Sequence, residues 1–521
     1  MTLLSAYNPK LVRMRFVFIL SLALLFSYLF FDAYPGLNWL LFVLATVVSM
    51  FFLYRDRFQR LTYVGAAGVL LSAVSVVLHP SGWTFVVSLI WCGFFVSASS
   101  SPQLRSAFTL MLQTAAQALL AAINTLRDLF LFQKDSSSKL GKYLRYYYFM
   151  APVLIILLFV WIYSAANPWF ESYLGNFSAY MHSFFVWVKG MVNMQWLALF
   201  VLGLVMSVYA LTPAAWEQLQ QWESKQQETM LRQRQPVLQG ISLMGLKHEW
   251  RSAIFLLLGL NLLLLILNAF DLWYVWIGFE WNGDYLKQFV HEGTWLLVLS
   301  IFISIAITLY YYRGNLNFLH SPLLRKLTII WIAQNGFLAL SVVRRNLYYI
   351  EYFNLAYKRI AVMFFLALVL FGLFTVLWKV LHRKRLYYLL RTNSMAVLLV
   401  FLLSASISWD PFIARYNMAH ADTAFVHFDF LIRMNFESFP YLDLPLERLK
   451  EIEEKRNERF PDEAQYISAE QFHARLQERM AAFAEYQDER SWKEWNWADH
   501  RVEQYLADKA NMEASEQTAM R

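Results

Sequence analysis

Long apolar segments alternate with short polar connections along most of the chain. Each segment has about 20 residues, enough to cross the roughly 30 Å hydrocarbon core of a bilayer as a helix. The segments are continuously apolar, which is typical of transmembrane helices and not of the alternating strands of a barrel. We therefore predict an all-α, polytopic transmembrane helix bundle with about eleven spans, within a range of ten to twelve. The predicted spans are 14–34, 37–54, 62–79, 82–98, 145–165, 194–213, 252–274, 294–312, 326–343, 360–381 and 393–409.

Two further segments have the pattern of amphipathic helices that lie in the membrane interface. Between 104 and 132, apolar side chains recur at helical spacing opposite a polar stripe, which predicts a helix resting on the cytoplasmic leaflet. The segment 168–189 is rich in aromatic rings that favour the headgroup level, and we expect it on the outer leaflet. The polar loop 216–250 predicts a cytoplasmic helical excursion between two transmembrane halves, 1–215 and 251–410.

The distribution of Lys and Arg predicts the orientation, because short cytoplasmic loops retain positive charge. Three basic residues precede the first span, the loop 32–38 has none, and the alternation continues through most of the chain. We therefore expect the N-terminus in the cytoplasm. Beyond the last span the chain becomes polar, with charges paired at helical spacing, which predicts a small soluble helical tail at 411–511 and a disordered end at 512–521. An odd number of spans places that tail outside.

Composition supports the membrane assignment. Apolar residues make up 58% of the chain and charged residues only 16%, against roughly 25% charged in soluble domains. The formal net charge is +8, yet the part from 447 to 521 has 18 acidic and 12 basic residues, so the positive excess lies between the spans. Basic residues that flank spans do not form the single stripe of a nucleic-acid site, and we expect no nucleic-acid partner. The single cysteine, Cys92, excludes an internal disulfide and is expected to be a buried apolar residue.

Polar side chains inside spans are the first candidates for function, because such groups are costly in lipid. They either form hydrogen bonds between helices, worth under about 1 kcal/mol each, or line a polar path for a small solute. We find no Asp or Glu at mid-span, which argues against a proton-coupled or cation-coupled carrier. The candidate polar-path residues are Asn261, Asn268, Ser304, Thr308, Gln334 and Asn335.

A second candidate is the segment 344–359, in which cationic side chains are interleaved with tyrosines. Guanidinium and ammonium groups beside amphipathic rings suit lipid phosphate or another anion. The alternative is ordinary anchoring of the span at the interface. This segment falls on the predicted external side, against the positive-inside rule, and that breach favours the functional interpretation. The candidate anion or lipid contacts are Arg344, Arg345, Tyr348, Tyr352, Lys358 and Arg359.

The segment 271–292 is acidic and contains His291. Clustered carboxylates suit a divalent cation, but their spacing fits no known ligand loop, and we expect a solvated external loop. The chain has no Gly-rich phosphate loop, nucleophile elbow or kinase signature. We therefore predict no catalytic residue, no metal site and no cofactor.

Several motifs in the second half resemble a known bacterial membrane family. They are HEGT from His291, YYRGNLNF from Tyr311, WIAQN from Trp331, SVVRRN from Ser341 and WDPFIARYN from Trp409. On these motifs the chain resembles the family named domain of unknown function 4153, formerly 4173. The resemblance implies a polytopic protein of the bacterial inner membrane, and it implies no activity, ligand or cofactor.

One departure from the family pattern falls in the connection after the SVVRRN motif. Asn354 and Ala356 stand where the family pattern has glycine and threonine. Because asparagine tolerates positive φ better than other non-glycine residues, we expect the turn to be kept. The missing threonine hydroxyl removes any polar contact that it would make.

Three hypotheses for function follow. The first is a non-enzymatic scaffold or sensor-like protein of the cell envelope, which binds membrane lipid or an envelope or signalling protein through the segment 344–359 and the tail. The second is a transporter or channel for a small solute. The third is an enzyme that modifies lipid or an envelope polymer.

Overall fold

The fold is helical throughout the part of the chain that can be described. The computed structural model describes residues 9–135, 193–232, 243–279, 294–319, 321–461, 467–488 and 490–519, with a few isolated positions between 156 and 170. Within these ranges β-type pairing is limited to an isolated bridge between Thr229 and Lys384. Ten of the described helices are long and apolar enough to cross a membrane. The predicted all-α, multi-pass membrane architecture is confirmed.

Two compact units make up the chain. Unit 1 comprises residues 1–104, 109–221 and 491–496, and unit 2 comprises 105–108, 222–490 and 497–521. The helices of unit 1 are α1 (Pro9–Phe30), α2 (Leu37–Tyr54), α3 (Arg60–Leu78), α4 (Gly82–Ser100), α5 (Ala107–Asp135, from residue 109 onward) and α6 (Met194–Leu211). The helices of unit 2 are α7 (Leu243–Asp271), α8 (Thr294–Tyr311), α9 (Pro322–Phe353), α10 (Tyr357–His382), α11 (Leu386–Ala405), α12 (Trp409–Ala419), α13 (Leu446–Arg459), α14 (Ala469–Asp488) and α15 (Trp497–Ala519).

Ten of the eleven predicted spans coincide with described helices, and the remaining one, 145–165, lies outside the described residues. The segment 168–189 also lies outside them, apart from two positions. The clearest difference in bounds is α9, which continues ten residues beyond the predicted end at 343. The tyrosines and arginines that follow the apolar stretch therefore lie on a helix that projects past it.

Small residues let α3 and α4 pack closely. A Cβ atom added at Gly65 would lie 2.9 Å from the Cα atom of Phe95, and one at Gly68 would overlap the ring of Trp91. Close approach through small residues is the usual basis of helix association in lipid, where no hydrophobic effect drives helices together. The aromatic face of α4 is buried for this reason.

The polar stripe of α5 is buried in the protein, whereas a helix lying on the cytoplasmic leaflet would turn that stripe toward water. Gln113 and Gln117 of that stripe are fully buried, and the Gln117 side chain donates to the carbonyl oxygen of Thr212 at 3.0 Å. The apolar stripe points away from the protein instead, with Leu119 68% and Leu126 56% exposed. In a membrane the apolar face meets lipid and the polar face seeks protein partners. Periodicity located both stripes but did not tell which one meets the protein.

The contacts of α5 show where it lies in unit 1. In its first half, Gln117 donates to the hydroxyl of Ser100 at the end of α4, at 3.3 Å. In its second half, Asp128 forms a buried ion pair with Arg15, near the beginning of α1. Because α1 begins where α4 ends, α5 runs along one end of the bundle, although it is long and apolar enough to cross a membrane.

The residues after α11 form a folded helical domain, which we call the tail domain (409–488 and 497–519). Its core is apolar and aromatic, and the rings of Phe428 and Phe472 stack at 4.9 Å between centroids. Ion pairs such as Lys455 with Glu451 at 2.6 Å cover the surface of α13, as the charge spacing indicated. The tail is therefore a packed domain and not a loose extension.

Residues 491–496 pack against the loop between α1 and α2 within unit 1. The backbone N–H of Leu37 donates to the carbonyl oxygen of Trp495 at 2.9 Å, and Lys493 Nζ donates to the carbonyl oxygen of Tyr28 at 2.8 Å. Gly36 permits this approach, because a Cβ atom there would lie 2.5 Å from the carbonyl oxygen of Glu494. The loop and the segment are thus held backbone to backbone.

Replacing Gly36 by alanine is expected to push residues 491–496 away from the α1–α2 loop. Overpacking against backbone atoms that cannot move alone costs about 1–3 kcal/mol. Hydrogen exchange of the Leu37 amide should become faster, since its acceptor is displaced. Gly82→Ala is the matched control, because nothing lies within 4 Å of a Cβ atom at Gly82. Unchanged exchange at Leu37 in the Gly36 variant would contradict this packing.

Candidate functional site

Polar contacts join α7 and α9 along their whole shared length. Near one end Trp250 Nε1 donates to Ser321 Oγ at 2.8 Å, and near the other Trp276 Nε1 donates to Ser341 Oγ at 3.1 Å. The partners stay between 65 and 74 residues apart from one end to the other. The two helices therefore run parallel, and we call this row of contacts the α7–α9 ladder.

Three of the candidate polar-path residues form the middle of the ladder. Asn261 Nδ2 donates to the carbonyl oxygen of Leu327 at 3.2 Å, and Asn261 Oδ1 accepts from Gln334 Nε2 at 2.9 Å. One heptad further on, Asn268 Nδ2 donates to the carbonyl oxygen of Gln334 at 3.2 Å. These amides hold the two helices together, which is the packing role considered for them from the sequence.

The other three polar-path residues bond within their own helices. Ser304 donates to the carbonyl oxygen of Ser300 at 2.8 Å, Thr308 to that of Ser304 at 2.9 Å, and Asn335 to that of Trp331 at 2.8 Å. The Trp331 indole reaches across to the Ser304 carbonyl oxygen at 3.5 Å. The six residues are thus divided between the α7–α9 and α8–α9 interfaces and do not form a single row.

A buried ion pair lies toward the end of the ladder. Asp271 ends α7 and pairs with Arg345 of α9, and each side chain is only 5% exposed. Directly after Asp271 the chain makes a π-helical turn, Leu272–Ile277, a distortion that recurs at functional sites. The prediction that Asp271 belongs to a solvated acidic loop was wrong, because the helix continues past it and packs it against α9.

This pairing explains much of the breach of the charge rule at 344–359. The charge of Arg345 is neutralised by Asp271. Arg359 Nη1 donates to the carbonyl oxygens of Phe353, at 2.7 Å, and Asn354, and so caps the C-terminal end of α9. Two of the four cations in the segment thus have partners inside the protein. The segment is less positive than its sequence indicates.

The tyrosines of the segment pack on neighbouring elements. The hydroxyl of Tyr348 donates to the carbonyl oxygen of Val275 at 3.0 Å, and its ring stacks on Phe279 at 3.8 Å. The guanidinium of Arg344 lies over the Tyr348 ring, 4.3 Å from its centroid. Tyr348 is therefore a buried link between the π-helical turn and α9, and only Arg344 above it is partly exposed.

The turn between α9 and α10 is held by two asparagines. Asn354 adopts φ 64°, so the expectation that asparagine keeps this turn is confirmed. The backbone N–H of Leu355 donates to Asn417 Oδ1 at 2.8 Å, and Asn417 Nδ2 donates to the carbonyl oxygen of Leu355 at 3.0 Å. Asn354 Nδ2 also donates to the carbonyl oxygen of Phe425 at 3.2 Å. We call these contacts the asparagine clamp, and they join the tail domain to the turn.

Two further candidate contacts differ in their surroundings. The Tyr352 ring meets Phe460 of the tail domain edge to face at 4.8 Å and is half-buried. Lys358 is exposed at the beginning of α10. Within the described ranges neither Lys358 nor Arg344 forms an ion pair. Of the six candidate contacts, these two are cations that are at least partly exposed and form no ion pair with a described residue.

The family model described as Domain of unknown function (DUF4153) matches residues 16–444. The chain belongs to this family. No curated protein and no solved structure matches the chain. The DUF4153 region includes the ladder, the ion pair and the asparagine clamp, and it ends just before α13. The charged helices of the tail domain therefore lie beyond it.

A buried carboxyl group that sequence reasoning missed lies inside the DUF4153 region. Glu437 is 7% exposed, accepts a hydrogen bond from the Ser408 hydroxyl and lies 3.6 Å from Arg501. Burial, together with the nearby charges of Asp410 and Asp499, raises its pKa to about 7. No motif marks this residue, because its environment is made by residues distant in sequence.

The acidic segment considered for a divalent cation is described only at its beginning. His291 and the carboxylates at 280, 284 and 292 lie outside the described residues. Over the parts of the DUF4153 protein that are described, no three His, Cys, Asp or Glu side chains converge as metal ligands would. We base no site on this segment.

Unit 1 of the DUF4153 protein contains an apolar cavity of about 460 Å³, lined by α2, α3, α4, α5 and α6 and partly open to the outside. Because the lining is apolar, the space suits an apolar occupant.

Proposed function

We propose that this protein is a non-enzymatic membrane scaffold that holds a folded helical domain in a fixed position on its spans, where the domain binds an envelope or signalling protein. One observation carries the proposal. The core of the tail domain continues into the end of α9 and the α9–α10 turn, because Ile350 and Leu355 belong to the same buried cluster as Phe428 and Phe472. A domain that shares its core with two spans cannot swing freely.

Directional contacts reinforce this shared core. The asparagine clamp fixes the backbone at Leu355 from both sides. The hydroxyl of Tyr357, at the beginning of α10, donates to the carboxylate of Asp410 in α12. Such contacts specify one relative position, whereas apolar packing alone is not directional. Any force on the tail domain is therefore passed to α9 and α10.

We also propose that Arg344 and Lys358 contact anionic lipid headgroups beside the tail domain. Both lie where apolar helices meet polar chain, and neither is used in an ion pair among the described residues. A Lys or Arg side chain near an anionic membrane surface is attracted to it by about 1 kcal/mol. Arg345 and Arg359 are not included in this proposed lipid contact, because their guanidinium groups bond to Asp271 and to backbone carbonyl oxygens of the protein.

For orientation we propose a bacterial inner-membrane protein with its N-terminus in the cytoplasm and its tail domain in the periplasm. One contact in the structure and the predicted number of spans support this. The loop between α1 and α2, which lacks Lys and Arg, is the one that residues 491–496 pack against. The eleven predicted spans are an odd number, which also places the tail domain on the side opposite the N-terminus.

A small-solute transporter is less well supported. The amides of Asn261, Asn268 and Gln334 bond across a helix interface, and the side chains of the remaining candidates bond within helices. The cavity of unit 1 is apolar. Between α7 and α9, a polar solute would have to break the contacts of the ladder.

Distances between spin labels test the scaffold proposal. In a Cys92→Ser background, labels at Phe374 on α10 and Glu478 on α14 should give one narrow distance distribution, because the shared core holds the two elements rigidly. Asn417→Ala should broaden it by removing the clamp. A second pair, at Phe374 and Leu403 on α11, is the control and should not respond to Asn417→Ala. If the distribution between labels at Phe374 and Glu478 is broad even with Asn417 intact, the tail domain is attached flexibly and the proposal fails.

A further inference from the structure

We propose that the cavity of unit 1 binds one hydrocarbon chain of a membrane lipid. Five helices line the cavity, which is partly open and has a volume of about 460 Å³. The site is formed by residues of unit 1, whereas Arg344 and Lys358 belong to unit 2, and it would hold the chain of a lipid, not its headgroup. The proposal does not rest on the scaffold function.

The lining determines the chemistry of the ligand. Aliphatic and aromatic side chains form almost all of it, and two of its polar side chains are bonded within the protein. The Trp39 indole donates to Ser88 at 2.9 Å, and the Thr46 hydroxyl donates to the carbonyl oxygen of Phe42 at 2.9 Å. A ligand with hydrogen-bonding groups would lose its partners on entry, so the occupant must be apolar.

The size of the cavity sets the size of the ligand. A dry engineered cavity of roughly 150 Å³ admits benzene, with its six carbon atoms. At the same packing, a cavity about three times larger holds on the order of eighteen carbons. That is a whole lipid chain and not a fragment of one. Water is disfavoured, because a buried water needs two to four polar partners.

The same walls face both the cavity and the outside of the bundle. Leu89 of α4 and Val205 of α6 line the cavity, yet they are 40% and 60% exposed. Ala118 and Ala122 of α5 also line it and are exposed, and their small side chains leave the space open. Because the neighbouring outer surfaces are apolar, a chain can enter sideways from the bilayer.

Filling the cavity tests the proposal. Ala122→Leu puts extra side-chain volume into the space, and Ala115→Leu makes the same change at an exposed position on α5 that does not line it. After purification in detergent, lipid retained per protein should fall roughly tenfold in Ala122→Leu, equivalent to about 1.4 kcal/mol of lost affinity. Ala115→Leu should retain as much lipid as the unchanged protein. Mass spectrometry of the extract distinguishes a phospholipid acyl chain from an isoprenoid chain.

A second measurement does not depend on the variant folding well. Exhaustive delipidation of the unchanged protein should lower its melting temperature, and adding back phospholipid in mixed micelles should restore it. Delipidated Ala122→Leu should melt higher than the delipidated unchanged protein, because its side chain occupies the void. The proposal would be overturned if Ala122→Leu and Ala115→Leu retained equal amounts of lipid, or if the melting temperature did not change when lipid is removed and added back. Either result would indicate that another part of the chain fills the space. Neither outcome bears on the rigidity measured with spin labels.

Discussion

Replacing Arg345 by methionine is expected to destabilise unit 2 by about 3–5 kcal/mol, because it leaves the buried carboxylate of Asp271 without its counter-charge. The effect should be large because both side chains are almost completely buried. Unfolding in detergent micelles, followed by tryptophan fluorescence, would measure it.

The double variant Asp271→Leu with Arg345→Met separates the ion pair from the space it occupies. Replacing both charges by apolar groups is often neutral or stabilising, so the double variant should be much closer to the unchanged protein than the single variant. Arg344→Met is the neighbouring control and should cost under about 1 kcal/mol, the value of a partly exposed stack on an aromatic ring. If Arg345→Met and Arg344→Met behaved alike, Asp271 would not depend on Arg345.

Raising the pH from about 5 to about 8 is expected to weaken the tail domain by about 2.5 kcal/mol through Glu437 alone. Its pKa in the folded domain is about 7, whereas the ordinary value is 4.5. Between these values the folded state holds a proton that the unfolded state has released. Stability therefore falls as the pH rises through this window, and it levels off above about 7.

Glu437→Gln should remove this pH dependence, since glutamine fills the same space without titrating and can still accept the Ser408 hydrogen bond. Thermal melting between about pH 5 and about pH 8 would measure this, because the melting temperature of the variant should fall less steeply with pH than that of the unchanged protein. Glu478→Gln, at an exposed position on α14, is the control and should keep the slope of the unchanged protein. A Glu437→Gln variant with the same slope would show that other groups control the pH response.

The bounds of the spans were readable from the chain because a helix in lipid must hydrogen-bond its backbone polar groups internally and must be long enough to cross. The turn at Asn354 was readable for an equally local reason, since few residues tolerate positive φ. In both cases the deciding physics acts on neighbouring residues.

The role of 344–359 was only partly readable. Its cations and rings were recognisable in sequence, but Asp271, the partner of Arg345, comes from a helix 74 residues away. Asp271 was not recognisable as this partner, because a carboxylate at the beginning of an acidic, polar segment is expected to be solvated. Only the packing of α7 on α9 shows that the helix continues past it.

For this protein the sequence by itself determined the helical membrane architecture, the family and most span bounds, because these depend on local apolar length and on side-chain periodicity. Tertiary structure alone decided which face of α5 meets protein, which charges in 344–359 are neutralised, and how the tail domain is joined to α9 and α10. Periodicity defines a face but not its neighbour, and a charge has no fixed effect until its burial and its partner are set.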